Sequence, residues 1–179
     1  MKNIILKSEN IRDQQLKSAL EESLSGLNKT IKKVLLLPPD ITRFYSQAGK
    51  ITAMYYDILK DSCQVDIMPA VGTHMPMSAE EIDKMYGKTI PKERFIAHDW
   101  RNDIVKIGQV PGTYVKEVSE GLLDFSIDVE VNYRLINSEY DLIISIGQVV
   151  PHEVVGMANY SKNIFVGCGG KSMIDSSHF

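Results

Sequence analysis

The sequence predicts an α/β domain with a mostly parallel, Rossmann-like sheet flanked by helices. Short runs of Val, Ile and Leu, such as residues 34–37 and 141–146, are continuous rather than alternating, as is typical of parallel strands covered on both faces. Segments with apolar residues at helical spacing lie between these runs. Most of the runs end at Pro or Gly, where strands commonly pass into loops.

Six apolar runs are candidate strands. In the fourth run, residues 127–131, apolar and polar residues alternate, so residues 127–136 are a candidate irregular or antiparallel insertion. The last run is the shortest and leads into the glycine-rich stretch Gly167–Lys171. The six runs cover residues 34–37, 65–68, 104–107, 127–131, 141–146 and 164–166.

Four segments between the runs are predicted helices. One of them has a clear start, because Ser78 and Glu81 have the spacing of a capping box, and it is expected to end near Gly87. The others cover residues 12–24, 47–60 and 113–123.

Length and composition indicate one soluble domain and argue against several functions. The chain has 179 residues, 44% of them hydrophobic and 24% charged, which suffices for a buried core. A net charge of -3 without clustered Lys and Arg argues against nucleic-acid binding. No apolar run could span a membrane, and residues 1–7 are charged too soon for a signal peptide. Cys63 and Cys168 form no CxxC motif, so we expect unpaired, buried thiols in a reducing cytoplasm.

Three polar motifs directly follow predicted strands, and each is expected to precede a helix. The loops at the carboxyl ends of parallel strands line the ligand crevice of an open sheet. The motifs should therefore bring Asp40, Arg43, His74 and His152 together. Two histidines and an arginine in one crevice suit acid–base chemistry on an anionic substrate. The motifs are Asp40–Arg43, Gly72–Pro76 and Pro151–Glu153.

Each of these residues also has a simpler interpretation. Asp40 could only cap a helix, and Arg43 could form a surface ion pair. His74 could be structural within its turn, and His152 could start a helix. For His98, beside Asp99, a structural role is the preferred interpretation.

The C-terminal part offers weaker signals. The stretch Gly167–Lys171 follows a predicted strand, so it could cradle a phosphate or be a plain tight turn, and it lacks the spacing of a Walker motif. Lys162 on its own would be interpreted as a solvated lysine.

Taken in order, these motifs resemble the lactate racemase family. Lys162 follows His152 by ten residues and His178 follows Lys162 by sixteen, as in the family pattern. The stretch before the lysine departs from that pattern, because lactate racemases typically have small, glycine-rich residues there and this chain has Gly156–Lys162. The matching pieces are Asp40–Arg43, Gly72–Pro76, Pro151–His152, Lys162 and His178.

The resemblance implies a cofactor and its attachment. The family uses a nickel-pincer nucleotide, a pyridinium mononucleotide with two thio-acid arms, which would be tethered covalently to Lys162. His178 would be the protein ligand of the nickel. A host that does not make this cofactor would leave Lys162 unmodified, so enzymes of cofactor synthesis are expected partners.

The resemblance also implies a reaction. A 2-hydroxyacid, lactate-like or larger, would be racemised or epimerised by hydride transfer to and from the cofactor. His74 and His152 would be the catalytic acid–base pair, and Asp40 and Arg43 would bind the substrate. Residues 1–179 would then form a single N-terminal, cofactor-carrying catalytic domain. The C-terminal domain of the complete enzyme would be missing, and the isolated domain could be inactive.

Two other functions stay open at this point. A divalent-metal-dependent hydrolase could use His74, His98, Asp99 and His152 as ligands, although no HExxH or similarly tight spacing is present. A non-catalytic α/β module that binds a small ligand is the second alternative.

Overall fold

The computed structural model describes residues 3–27 and 29–178, with a three-stranded parallel sheet at its centre. Strand β1 (Lys33–Leu37) lies between β2 (Gln64–Ile67) and β5 (Leu142–Ser145). Helices flank this sheet, so the predicted α/β class with parallel strands is confirmed. The described residues leave out Met1 and Lys2, which belong to the N-terminal stretch 1–7, and also Phe179 at the end of the given sequence.

Both faces of the sheet are buried, which explains the continuous apolar runs. Val34 and Leu36 point into one core cluster, and Leu35 and Leu37 into another. All four are fully shielded from solvent. The first cluster is covered by α2 (Ala48–Leu59) and α3 (Ala79–Tyr86), with α1 (Asp13–Leu24) packed on its outer side.

Helix α3 begins and ends as the sequence predicts. The Ser78 hydroxyl accepts the N–H of Glu81, and the Glu81 carboxylate accepts the N–H of Ser78 over 2.8 Å. This capping box satisfies N–H groups that have no partner inside the helix. The helix ends at Gly87, whose φ of 79° favours glycine.

The run at 104–107 does not join the parallel sheet, and this part of the prediction is wrong. It belongs to β3 (Ile104–Val110), which pairs antiparallel with β4 (Ile127–Asn132) in a separate two-stranded sheet. Much of β3 is exposed, so its apolar run is not that of a buried parallel strand. The prediction of an antiparallel insertion at 127–136 is confirmed. The helix between these strands, α4 (Gly112–Val118), is shorter than expected.

The run at 164–166 is helical rather than extended. It lies in and just after α5 (Ser161–Phe165), and a tight turn leads to α6 (Lys171–Ser177). Three apolar residues are too few to distinguish a strand from a helical turn. The turn is compact, because a Cβ at Gly169 would lie only 2.0 Å from the carbonyl oxygen of Phe165. Lys162 therefore lies on a short helix, and the glycine-rich turn follows a helix.

Short 3-10 helices lie at Ile41–Ser46, Lys92–Arg94 and Tyr133–Leu135. A small hairpin of Pro151–His152 and Gly156–Met157 completes the described elements. None of the helices in the described ranges has the length and apolar character that crossing a membrane requires.

Candidate active site

A cleft of about 360 Å³ lies at the carboxyl ends of the central strands. Its size falls within the range of small-ligand pockets, ~300–1,000 Å³. The loops after β1, β2 and β5 line it, so the predicted convergence of the polar motifs is observed. All six residues singled out from the sequence line this cleft, namely Asp40, Arg43, His74, His152, Lys162 and His178.

Asp40 and His74 form a hydrogen-bonded pair. The buried Asp40 carboxylate caps the 3-10 helix by accepting the N–H of Thr42 over 3.1 Å. Its other oxygen lies 2.6 Å from Nδ1 of His74, whose side chain is 61% exposed. Asp40 thus caps a helix and also orients an imidazole. His74 lines the cleft, and its second nitrogen, Nε2, has no hydrogen-bond partner among the described residues.

Arg43 lies on the same 3-10 helix with its side chain exposed. Its guanidinium forms no ion pair within residues 3–27 and 29–178, so the described residues give the surface ion-pair interpretation no support. An unpaired guanidinium at a cleft can bind a carboxylate through two parallel hydrogen bonds. Arg43 is therefore suited to hold an anionic ligand.

His152 lies in a small hairpin rather than at the start of a helix. Strand β6 (Pro151–His152) pairs with β7 (Gly156–Met157), which corrects the helix predicted after this motif. Nδ1 of His152 accepts the N–H groups of Val154 and Val155 over 3.2 and 3.3 Å. The turn of the hairpin thereby fixes the ring.

His178 follows α6, and one of its ring nitrogens, Nε2, has no hydrogen-bond partner within residues 3–27 and 29–178. Its Nδ1 lies 2.8 Å from the carbonyl oxygen of Ile174, to which it donates. This bond leaves the lone pair on Nε2, the arrangement that metal-binding histidines commonly use. The rings of His152 and His178 are nearly perpendicular, with centroids 6.3 Å apart.

Lys162 is half-buried near the start of α5. Burial, and then the nearby Arg43, lower its pKa, whereas Asp40 and Glu153 act in the opposite direction. In the part of the chain that the structure describes, its ammonium has no hydrogen-bond or ion-pair partner. The lowered pKa favours the neutral amine, and the ammonium is not held in a salt bridge with any described residue.

Sequence reasoning missed Asn163, which holds Lys162 in place. The buried Asn163 side chain donates to the Leu37 carbonyl over 2.7 Å and to the Ser145 hydroxyl over 3.0 Å. These bonds tie α5 to the ends of β1 and β5. The only signal in the sequence is a polar residue beside an apolar run.

Glu153 was also missed as a cleft residue. Glu153 lines the cleft, and the pKa of its carboxyl group is lowered first by its own backbone N–H and then by His152, Arg43 and Lys162. Its place directly after His152 was the available signal. The cleft therefore combines two carboxylates with two cationic side chains.

His98 and Asp99 lie away from the cleft. His98 is 3% exposed, donates from Nε2 to the Gly169 carbonyl and accepts at Nδ1 from Asn132, as its structural interpretation requires. Asp99 accepts N–H groups of its own turn. The ligand set of the hydrolase alternative is thus not assembled. Within the described ranges no three His, Cys, Asp or Glu side chains form a metal site.

The glycine-rich turn packs against the β3–β4 hairpin. The N–H of Asn132 donates to the Cys168 carbonyl over 2.8 Å, and Cys168 is fully buried with its pKa raised to about 12. Lys171 forms a surface ion pair with Asp175. The turn therefore acts as a structural connection that carries α6 and His178. The other cysteine, Cys63, is only partly buried, and both thiols are free.

The family model described as "Lactate racemase N-terminal domain" matches residues 2–179. The chain belongs to this family. It is 27% identical over 173 residues to the lactate racemase of Thermoanaerobacterium thermosaccharolyticum, an alignment that covers 91% of this chain and 37% of that protein.

A solved structure shares the fold of this chain. The crystal structure of a protein from Thermotoga maritima superposes with a TM-score of 0.82 at 27% identity. The match covers 97% of this chain and 42% of the other. The chain thus spans about two fifths of the length of these relatives.

Proposed function

We propose that this chain is the cofactor-carrying domain of a 2-hydroxyacid racemase or epimerase. One cleft carries the proposal, because it brings together a lysine without an ion-pair partner, a histidine whose Nε2 has no hydrogen-bond partner, and two further histidines. Both absences refer to the described part of the chain. Family membership supports the same function. The C-terminal domain that we expect in the complete enzyme would close the cleft.

The residues present fit a lysine-tethered nickel-pincer nucleotide. Lys162 offers a half-buried amine of lowered pKa, which favours the neutral, nucleophilic form needed to join a thio-acid arm. His178 offers Nε2 as a single imidazole ligand, and imidazole is a suitable donor for nickel. One protein ligand suffices when the cofactor supplies the others. When bound, the group supplies the hydride acceptor.

The remaining residues handle the substrate. Arg43 binds the carboxylate and so orients the 2-hydroxyl group. His74 and His152 hold or take the hydroxyl proton as C2 loses its hydrogen with both electrons. This route avoids a carbanion at a very weakly acidic carbon. General acid–base help of this kind contributes ~10²–10⁴-fold to the rate. The substrate is a lactate-like or larger 2-hydroxyacid.

The proposal is tested by the intact mass and nickel content of the chain co-produced with pincer-nucleotide synthesis enzymes, the partners that we expect. We expect an adduct of nucleotide size at Lys162 and about one nickel per chain. Lys162→Arg should abolish the adduct, and Lys171→Arg, at a surface ion pair, should leave it intact. His178→Ala should keep the adduct and lower the amount of nickel that it retains. An unmodified Lys162 under conditions that load a known family member would contradict the proposal.

The binding-module alternative is tested separately. In the enzyme assembled with its C-terminal domain, His74→Ala or His152→Ala should lower activity by at least ~10²-fold. Retained function in both variants would favour a non-catalytic module instead.

A further inference from the structure

The fold fixes Nδ1 of the two proposed catalytic imidazoles in opposite ways. Nδ1 of His74 faces a carboxylate oxygen of Asp40 at 2.6 Å. Nδ1 of His152 faces the backbone N–H groups of Val154 and Val155 at 3.2 and 3.3 Å. One partner only accepts a hydrogen bond and the others only donate, so the two rings cannot carry their protons on the same atom.

We propose that the resting site is asymmetric, with His74 preset as the base and His152 preset as a hydrogen-bond donor. The proposal rests on the proposed function, which it refines by assigning different resting roles to the two histidines. It concerns the proton positions in the neutral rings, which the contacts to Nδ1 determine.

His74 is preset as the base because an ionised carboxylate has no proton to donate. The neutral ring must therefore donate from Nδ1, which leaves the lone pair on Nε2. No atom in the described chain forms a hydrogen bond with that Nε2, which belongs to a largely exposed side chain lining the cleft. Asp40 is thus a positioning residue, which acts on the substrate only through His74.

His152 is preset as a donor because backbone N–H groups cannot accept a hydrogen bond. Its Nδ1 must supply the lone pair, so the proton of the neutral ring lies on Nε2. A neutral imidazole with N–H at Nε2 can polarise a substrate oxygen but cannot take a proton there. To become a base, His152 must release Val154 and Val155 and move its proton to Nδ1.

The asymmetry selects the isomer that the resting site is ready to oxidise. A 2-hydroxyacid whose hydroxyl faces His74 gives that proton to Nε2 of His74, while the C2 hydrogen leaves with its electron pair to the hydride acceptor named above. His152 donates to a substrate oxygen during this step. The other enantiomer can be oxidised only after His152 has moved its proton from Nε2 to Nδ1. The equilibrium constant between two enantiomers is one, so kcat/KM must be the same in the two directions. Steady-state values of kcat/KM therefore cannot reveal the asymmetry, which has to be measured on the histidine rings themselves.

The experiment is long-range ¹H–¹⁵N NMR of the imidazoles in the 179-residue chain, at a pH high enough that the ring signals no longer change with pH. The chain has only four histidines, so single His→Gln variants assign every signal. We expect the Nδ1–H form for His74 and the Nε2–H form for His152. The N–H groups of Val154 and Val155 should exchange with solvent faster in His152→Gln.

The substitution Asp40→Asn tests whether Asp40 determines which nitrogen of His74 carries the proton. One Asp40 oxygen accepts from Thr42, so the amide oxygen of an asparagine would occupy that position and its NH₂ group would face His74. We expect His74 to switch to the Nε2–H form while His152 stays unchanged. A defect limited to folding would not produce this selective switch. Asp124→Asn, at a surface ion pair with Lys116, is the matched control and should change neither ring.

The same form in both rings, or a His74 unaffected by Asp40→Asn, would overturn the proposal. Because these spectra need no cofactor, they are independent of the proposed function. If the two rings have the expected forms but Lys162 stays unmodified, the proposed function is refuted and the asymmetry stands. If Lys162 carries the adduct but the rings do not have the expected forms, the asymmetry is refuted and the proposed function stands.

Discussion

The side-chain amide of Asn163 donates to the main-chain carbonyl of Leu37 over 2.7 Å and joins two segments 126 residues apart. Leu37 ends the central strand, and Asn163 directly follows Lys162. The position of Lys162 is therefore set by the sheet rather than by its own five-residue helix. A helix this short has little stability of its own.

Asn163→Leu should lower the free energy of unfolding by ~0.5–1.5 kcal/mol, because similar volume is kept while the buried Leu37 carbonyl loses one of its two donors and keeps the N–H of Ile146. Urea unfolding followed by circular dichroism measures the change. The matched control is Asn137→Ala, which removes an exposed amide and should cost less than ~0.5 kcal/mol. Equal losses in both variants would contradict this role of Asn163.

Removing Arg43 should raise the pKa of Lys162. Burial and the positive charge of Arg43 both lower that pKa, so Arg43→Gln removes one of the two causes. Trace acetylation of the chain at increasing pH, with the products quantified by peptide mass spectrometry, gives the pKa of Lys162. Its labelling curve should move to higher pH in Arg43→Gln, whereas that of Lys171, which lies outside the cleft, should not move. A Lys162 curve that moves to lower pH would be inconsistent with this explanation.

The sequence could predict the features that depend on local chemistry and on the parallel sheet. The run at 34–37 identified the central strand because burial on both faces requires continuous apolar residues. Ser78 and Glu81 identified a helix start, since a capping box involves only neighbouring residues. The carboxyl ends of parallel strands meet at one edge of a sheet, and this rule correctly predicted that Asp40 and His74 line the same cleft.

Features that depend on long-range packing could not be predicted in this way. The segment 164–166 is helical because the Asn163 side chain and the compact glycine turn hold it there, and neither has a pattern in sequence. The hairpin at His152 consists of two strands of two residues each, which is too short for any periodicity. The role of Asn163 depends on its hydrogen bond to Leu37, 126 residues away in sequence, and no local pattern indicates such a contact.

Stability should fall as the pH drops through the usual pKa of histidine, because of His98. Burial lowers the pKa of His98 in the folded chain below 6.5, against the effect of its bond to Gly169. The unfolded chain therefore binds a proton near pH 6.5 that the folded chain does not bind until lower pH. The free energy of unfolding should decrease across that interval and level off below the folded pKa.

Urea unfolding of the parent chain and of His98→Gln, between about pH 8 and pH 5, checks this prediction. The variant should be less stable at the upper end, because it loses part of the buried contacts to Gly169 and Asn132. The difference between the two proteins should shrink towards the lower end. A difference that is constant with pH would mean that protonation of His98 does not contribute.

The backbone at Tyr160 should be strained, and glycine should relieve that strain. Tyr160 has a φ of 55° and a ψ of -134°, a conformation that is nearly restricted to glycine. Its side chain is 72% exposed, so little packing compensates for the strain. The resemblance noted above points the same way, since lactate racemases typically have small, glycine-rich residues before the lysine.

Tyr160→Gly should raise the free energy of unfolding by about 1 kcal/mol, because relief of ~1–3 kcal/mol of strain exceeds the ~0.5–1 kcal/mol entropic cost of glycine. The urea midpoint measures it. Tyr114→Gly is the matched control, since Tyr114 is also exposed, at 56%, but lies within α4. There the substitution should destabilise by up to ~1 kcal/mol. A loss of stability in both variants would show that the Tyr160 conformation costs little, and a gain only at Tyr160 would locate stored strain two residues before Lys162.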